Sequence, residues 1–383
     1  MIDNSKETPR ASSILKLIPS MIVVFAAAFS IPMASNLYIG MAASGISCIY
    51  LVATARKKVP VVVLLFALAG MFGLPDGLPA ITVVLSLITG TGALSWLIAY
   101  TRCPFLALIS ALAYGTAAAM TGDFIVSLLA ISFAPAAIVL GYALIKEKSR
   151  LSALCSTAVA FVTTLLIGGT AILILSNVEL SLTALRGYAQ TVTESMESLI
   201  LSVELQLPDG TTQKLFDERD AYNMAHQTVT LLPALSVILL NAISFFAQRL
   251  QFSLVRLTMG EERLKPSMLA FVVSPAAGII FTISCLVFTL ADSTPTGVAA
   301  ATVCQNIFLM LFPALVGMGI MYFFARVSER KLRAAPIIMI GVLILAFFNY
   351  LLAFLLIACF GAYASVSIPL TAYLKSKMKD DEQ

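Results

Sequence analysis

The stretch KEKSRLSALCSTAVAFVTTLLIGGTAILILS, residues 146–176, decides the fold. Its first five residues hold three bases, and no charged residue follows between Leu151 and Ser176. A helix needs roughly 20 apolar residues to cross a bilayer core of about 30 Å, and this run supplies them. The bases at its head orient the helix, because Lys and Arg accumulate in cytoplasmic loops.

The same pattern extends along the chain in both directions. Eleven spans are predicted, at 15–33, 37–55, 59–74, 78–100, 104–120, 124–145, 151–176, 228–248, 268–291, 297–325 and 335–360. Those at 59–74 and 104–120 are short for a full crossing. Composition agrees with a membrane protein: 60% of residues are hydrophobic and 11% charged, against about a quarter charged in soluble proteins. The fold class expected is all-α, a polytopic transmembrane bundle with one amphipathic extramembrane segment. Its partner is the lipid bilayer.

Charge fixes the topology. Lys6, Arg10 and Lys16 mark the N-terminal end, Arg56, Lys57 and Lys58 follow the second span, and Arg102 follows the fourth. Lys146, Lys148 and Arg150 follow the sixth, Arg249, Arg256, Arg263 and Lys265 the eighth, and Arg326, Arg330, Lys331 and Arg333 the tenth. Intervening loops carry Asp76, Asp123, Asp292 and one acidic segment. The N-terminus is therefore expected in the cytoplasm of a bacterial plasma-membrane protein, with no cleavable signal peptide. Lys375, Lys377 and Lys379 run against an external C-terminus. A turn at Gly361 that lays 362–374 along the membrane would resolve this, so ten or twelve spans stay open alongside eleven. A net charge of +4 spread over loops gives no dense basic patch for nucleic acid.

Three regions are expected: a seven-helix part over 1–176, an external segment over 177–227 and a four-helix part over 228–383. The external segment has eight acids and three bases. Leu182, Leu185, Ala189, Val192, Met196, Leu199 and Val203 recur at helical spacing. Pro208-Asp209-Gly210 signals a turn, and a second helix is expected from Asp217-Glu218 into the eighth span. The amphipathic helix is either a lid or receptor surface, or an interfacial helix covering the bundle. The two halves show no internal repeat of the inverted-repeat kind.

Charged residues are nearly absent at mid-membrane depth, which argues against a proton pathway built on a buried carboxylate. The amides Asn241, Gln305, Asn306 and Asn349 are expected to face inward, either as interhelical hydrogen-bonding groups or as contacts for a polar solute. Small residues cluster at Ala26-Ala27-Ala28, Gly90 and Gly92, Gly168-Gly169, and Gly317 and Gly319, where helices can approach closely. Pro135, Pro233, Pro275 and Pro313 are expected to kink helices. Cys48, Cys103, Cys155, Cys285, Cys304 and Cys359 all fall in apolar stretches without a CxxC, as packing residues rather than a disulfide or metal framework. His226 has no companion ligands. No HExxH, G-x-S-x-G, phosphate-cradling glycine loop or paired-aspartate motif is present, so no cofactor, metal or enzymatic activity is expected.

The C-terminal third resembles the YybS-like family of bacterial membrane proteins. The resemblance rests on Leu231-Leu232-Pro233-Ala234-Leu235 opening a helix that contains Asn241, on Arg263-Leu264-Lys265-Pro266, and on Asn306 through Gly317 continuing to Met321-Tyr322-Phe323-Phe324-Ala325-Arg326. Val316 stands where the family tends to have Gln. The N-terminal helices are distantly similar to the substrate-binding membrane subunits of energy-coupling-factor transporters. The resemblance implies a small-solute uptake role with a coupling subunit and an ATPase as partners, and Ala26, Ala27 and Ala28 as the helix face that docks the coupling subunit. The alternative is a scaffold that recruits cell-envelope or division proteins through the acidic segment.

Overall fold

The computed structural model describes residues 11–31, 33, 36–54, 78–121, 124–175, 181–202, 204–206, 212–214, 216–269, 271–291, 293–328, 341 and 349–381. The predicted span at 59–74 and most of the 335–348 stretch lie outside the described residues, as does the Pro208-Asp209-Gly210 turn. Every other predicted span falls on a helix. In chain order these are α1 (Ala11–Ser30), α2 (Leu37–Thr54), α3 (Leu78–Thr101), α4 (Ala107–Thr121), α5 (Phe124–Ile145), α6 (Arg150–Leu175), α7 (Leu182–Leu201), α8 (Glu218–Thr258), α9 (Pro275–Leu290), α10 (Pro295–Ser328) and α11 (Tyr350–Asp381). Five described helices are long and apolar enough to cross a membrane: α3, α6, α8, α10 and α11. The result is a helical membrane-type bundle.

Local sequence sets the helix ends. Ser181 caps α7 by accepting from the Ala184 N–H at 3.1 Å, and Asp217 starts α8 by accepting from the Asp220 N–H at 2.7 Å. As expected, α8 then runs on without a break. It continues past 248 to Thr258, so its 41 residues reach about 60 Å, roughly twice the hydrocarbon thickness. Between α7 and α8 the external segment adds a small hairpin, β1 (Glu204–Gln206) and β2 (Thr212–Lys214). The strands are antiparallel with Glu204 in register with Lys214, a hairpin that the helical reading of this segment passed over.

Two expectations need correction. Pro275 does not kink a helix interior. It opens α9 directly after the cap Ser274, whose hydroxyl accepts from the Ala277 N–H at 3.3 Å. Proline suits that position because its missing N–H would be unused there anyway. Nor does Gly361 turn the chain: α11 continues through it to Asp381. Its missing side chain serves packing instead, because a Cβ there would overlap the Leu315 carbonyl oxygen of α10.

Contacts divide the chain into two compact units, one of Met1–Val178 with Leu239–Ala270 and one of Glu179–Ile238 with Phe271–Gln383. The sequence divides the chain at 176 and 227, whereas the contacts place a border inside α8, so that helix serves both units. In the first unit α3 is the central element, packed by α1, α2 and α5, while α6 lies on α5 and α4 on α1 and α5. Of its membrane-spanning window, 83% is buried, against 28% for α6. Apolar side chains close around it, with Trp96, Leu94, Leu97, Ile98, Phe133 and Phe161 fully buried. In the second unit α9, α10 and α11 pack pairwise. A Cβ on Gly319 would overlap the Ile357 carbonyl, and one on Gly361 the Leu315 carbonyl, so the α10 and α11 backbones touch at two points.

Candidate functional site

In a bilayer the informative residues are the polar ones held inside the protein, and α3 concentrates them. Thr82, Ser86, Thr89, Thr91 and Ser95 are all fully buried. Most pair across helices: Ser86 with Ser30 of α1 at 2.8 Å, Thr82 with Ser44 of α2 at 3.0 Å, and Thr89 with Ser47 of α2 at 3.2 Å. Ser20 and Tyr50 add an α1–α2 link at 2.7 Å. Trp96 donates its indole N–H to Thr258 Oγ1 at 3.1 Å, fixing the far end of α8 to α3. These hydroxyls are short, flexible donors and acceptors that join helices where lipid supplies no competing water.

Beside this seam the second half of α8 buries a stripe, Ser244, Gln248, Gln251 and Val255. The spacing of four, three and four residues is that of one helical face. Gln251 donates to the Leu140 carbonyl of α5 at 3.2 Å, and Gln248 donates to the Arg150 carbonyl at the head of α6 at 3.3 Å. A methyl on Gly92 would come within 2.8 Å of the Ala247 carbonyl, so α3 and α8 are in backbone contact there. The chain neighbours of that contact, Thr91 and Gln248, hold two buried atoms that meet no hydrogen-bond partner among the described residues: Thr91 Oγ1 and Gln248 Oε1. A buried polar atom without a partner costs about 1–3 kcal/mol. Thr91 on α3 and Gln248 on α8 therefore each carry unfilled bonding capacity inside an apolar bundle. A hydroxyl and an amide oxygen suit a ligand that brings N–H or O–H donors.

The amides singled out from the sequence fall in both units. Asn241 sits half-buried on α8 in the first unit, while Gln305, Asn306 and Asn349 belong to the second. Asn306 is fully committed. Its Oδ1 accepts from the Ala234 N–H at 3.1 Å, and its Nδ2 donates to the carbonyls of Thr230 at 3.0 Å and Thr302 at 3.0 Å. Thr230 and Ala234 flank Pro233, whose missing N–H interrupts the α8 ladder, so Asn306 clasps the helix at its weak point. Asn349 is exposed and caps α11, accepting from the Leu352 N–H at 3.1 Å, where the sequence placed it within a continuous span. Gln305 is half-buried.

The Ala26–Ala28 run is largely internal. Ala27 and Ala28 are buried, and a Cβ on Gly90 of α3 would lie 3.1 Å from the Ala27 methyl. Only Ala26 remains partly open to a partner helix. His226 is exposed and stacks on Tyr222 with centroids 6.0 Å apart, one helical turn away. Among the described residues no group of three or more His, Cys, Asp or Glu is placed to hold a metal. The sequence reading passed over Gln248 and Gln251 because Gln248 ends the predicted span at 248 and Gln251 follows two residues behind an arginine. The signal that would have found them is the buried-face spacing of Ser244, Gln248, Gln251 and Val255.

No curated protein and no solved structure matches this chain. Residues 61–361, well over half of the chain and including α3 through α10, match the model of the family described as predicted membrane protein (DUF2232), and the chain belongs to that family.

Proposed function

We propose that the protein binds a small polar solute within the helix bundle of its first unit and acts as the membrane subunit of an uptake system. The carrying observation is that two buried polar atoms of the first unit, Thr91 Oγ1 on α3 and Gln248 Oε1 on α8, are unfilled by the described residues. A protein that gains nothing from these groups in the empty state keeps them most economically for a ligand that fills them. The chain shows no ATP-binding motif, so an ATP-driven cycle would draw on a coupling subunit and an ATPase. Ala26 is the residue of its run left to meet such a partner. The basic loops, by the positive-inside rule, lie in the cytoplasm of a bacterial plasma membrane together with the N-terminus. The similarity of the C-terminal third to the YybS-like family, and of the N-terminal helices to energy-coupling-factor substrate-binding subunits, points the same way.

The test is a thermal-shift screen of vitamins and small metabolites against the purified full-length protein, followed by Thr91→Val and Gln248→Leu. Each substitution should weaken the identified solute by about tenfold, the worth of one buried hydrogen bond of about 1.4 kcal/mol. Thr91→Val should leave the empty protein equally or more stable, because it removes a buried hydroxyl without a partner. A screen with no stabilising solute, or a solute indifferent to both changes, overturns the reading. A scaffold role is favoured by one observation: α7, the hairpin and the start of α8 form capped secondary structure that exposes Glu194, Glu218 and Asp220. Co-purification distinguishes the two. An ATPase and a coupling subunit support uptake, whereas envelope-assembly proteins lost on deleting residues 179–220 support the scaffold.

A further inference from the structure

Arg150 and Arg249 stand together at the end of the first unit where the chain carries its basic loops. Arg150 opens α6, and its guanidinium carbon lies 4.7 Å from the centroid of the Phe245 ring on α8. That ring position holds the cation by the attraction of an aromatic face. The Arg150 Nε is shut off from solvent and meets no acceptor among the described residues. Arg249, exposed on α8, follows Phe245 by one helical turn and adjoins Gln248, whose amide meets the Arg150 carbonyl at 3.3 Å. The acid of the adjoining loop is already taken, since Glu147 pairs with Lys265 at 2.6 Å. No carboxylate pairs with Arg150 or Arg249 among the described residues. The N-terminal end of α6 adds the positive pole of a helix dipole, which disfavours a cation standing there alone. Among the described residues no carboxylate thus balances the positive groups at this end of α6.

We propose that Arg150 and Arg249 together hold the phosphate of an anionic phospholipid headgroup in the leaflet bordering the basic loops. Depth favours a lipid over a free phosphate. Arg150 is the first residue of an apolar membrane-spanning window, and Phe245 and Ile145 close by are part-exposed apolar side chains on which an acyl chain can lie. Guanidinium groups suit the role because their planar fork engages two phosphate oxygens at once. The lipid would complete the Arg150 Nε and neutralise the repulsion between the two arginines.

The experiment uses the full-length protein, stripped of lipid in detergent and titrated with phosphatidylglycerol, phosphatidylcholine or glycerophosphate, with binding read by native mass spectrometry. Phosphatidylglycerol should bind in preference to phosphatidylcholine. Arg150→Gln/Arg249→Gln should erase most of that preference, about twenty-five-fold if each basic group at a membrane surface contributes about fivefold. Lys146→Gln/Lys148→Gln, with the same change in charge on the same rim, should leave it intact. No preference in the native protein overturns the proposal, and so does equal loss in the lysine variant, which would mean diffuse rim charge. Glycerophosphate competing as well as the lipid would make the site one for free phosphate and also overturns it. Should the glutamine variant fail to fold, Arg150→Lys/Arg249→Lys decides. Retained but weakened preference supports a guanidinium site, and an unchanged preference refutes it.

Discussion

The clasp of Asn306 on α8 makes a prediction that separates structural from ligand-binding roles for a membrane amide. Replacing Asn306 with Leu keeps the approximate side-chain size and removes all three hydrogen bonds, to the Ala234 N–H, the Thr230 carbonyl and the Thr302 carbonyl. The last lies on its own helix, and that carbonyl keeps its place in the α10 ladder. The loss therefore rests on the two bonds to α8. Interhelical hydrogen bonds in bilayers average about 0.6 kcal/mol and reach about 1.7, so the pair predicts about 1–2 kcal/mol. Pro233 supplies the internal control. With Pro233→Ala the N–H that pairs with the Val229 carbonyl returns to the ladder, the proline ring no longer crowds the preceding turn, and Asn306 has less to hold. The cost of Asn306→Leu should then fall by about 0.5 kcal/mol or more, a coupling of the size contacting residues show. Unfolding by SDS titration in mixed micelles, on all four members of the cycle, measures it. A cost below about 0.3 kcal/mol, or the same cost with and without Pro233, would refute the clasp and free Asn306 for a solute role.

Two further predictions test packing and the polar seam. Gly361→Val should push α10 and α11 apart, since even a Cβ overlaps the Leu315 carbonyl, and should destabilise by about 3 kcal/mol or more, read as a lower melting point by fluorescence-detected size exclusion. Gly169→Val, at a position with open space around it, is the matched control and should leave that melting point almost unchanged. Ser86→Ala removes a single Ser30–Ser86 bond of 2.8 Å while Ser30 keeps a bond to the Ala27 carbonyl, so its cost in the same SDS titration should be only about 0.6 kcal/mol.

The architecture was legible because membrane insertion is written in long, simple signals. Apolar runs and basic loops predicted the helices, and Asp217-Glu218 correctly started a helix that runs unbroken into the membrane. What escaped was decided by neighbours that no local pattern names. Gly361 reads as a turn because glycine ends helices, yet its role comes from the Leu315 carbonyl more than forty residues away. Pro275 reads as a kink until the serine before it is recognised as a cap. Ala27 and Ala28 read as a docking face, but whether a small side chain admits a partner or the protein's own helix depends on which helix stands opposite, and here it is α3 at Gly90.

The polar residues show the same limit more sharply, and it bears on function. Hydropathy ranks an amide by its own cost in lipid, so Asn241, Gln305, Asn306 and Asn349 stood out while the hydroxyls of α3 did not. A serine or threonine in a helix can satisfy itself on the carbonyl one turn back, as Thr89 does on Leu85 at 2.8 Å, and so passes as nearly apolar. Thr91 takes no such bond, although it has the same side chain two residues further along the same buried helix. Asn306, one of the four amides that could have been a ligand contact, is held by three bonds within the protein, and Thr91, which did not stand out in the sequence, has none among the described residues. In an apolar bundle a binding site is marked less by which residues are polar than by which polar atoms the fold leaves unfilled. That property belongs to the three-dimensional contacts of α3 with α8, and it is why the functional hypothesis now rests on Thr91 and Gln248 rather than on the four amides.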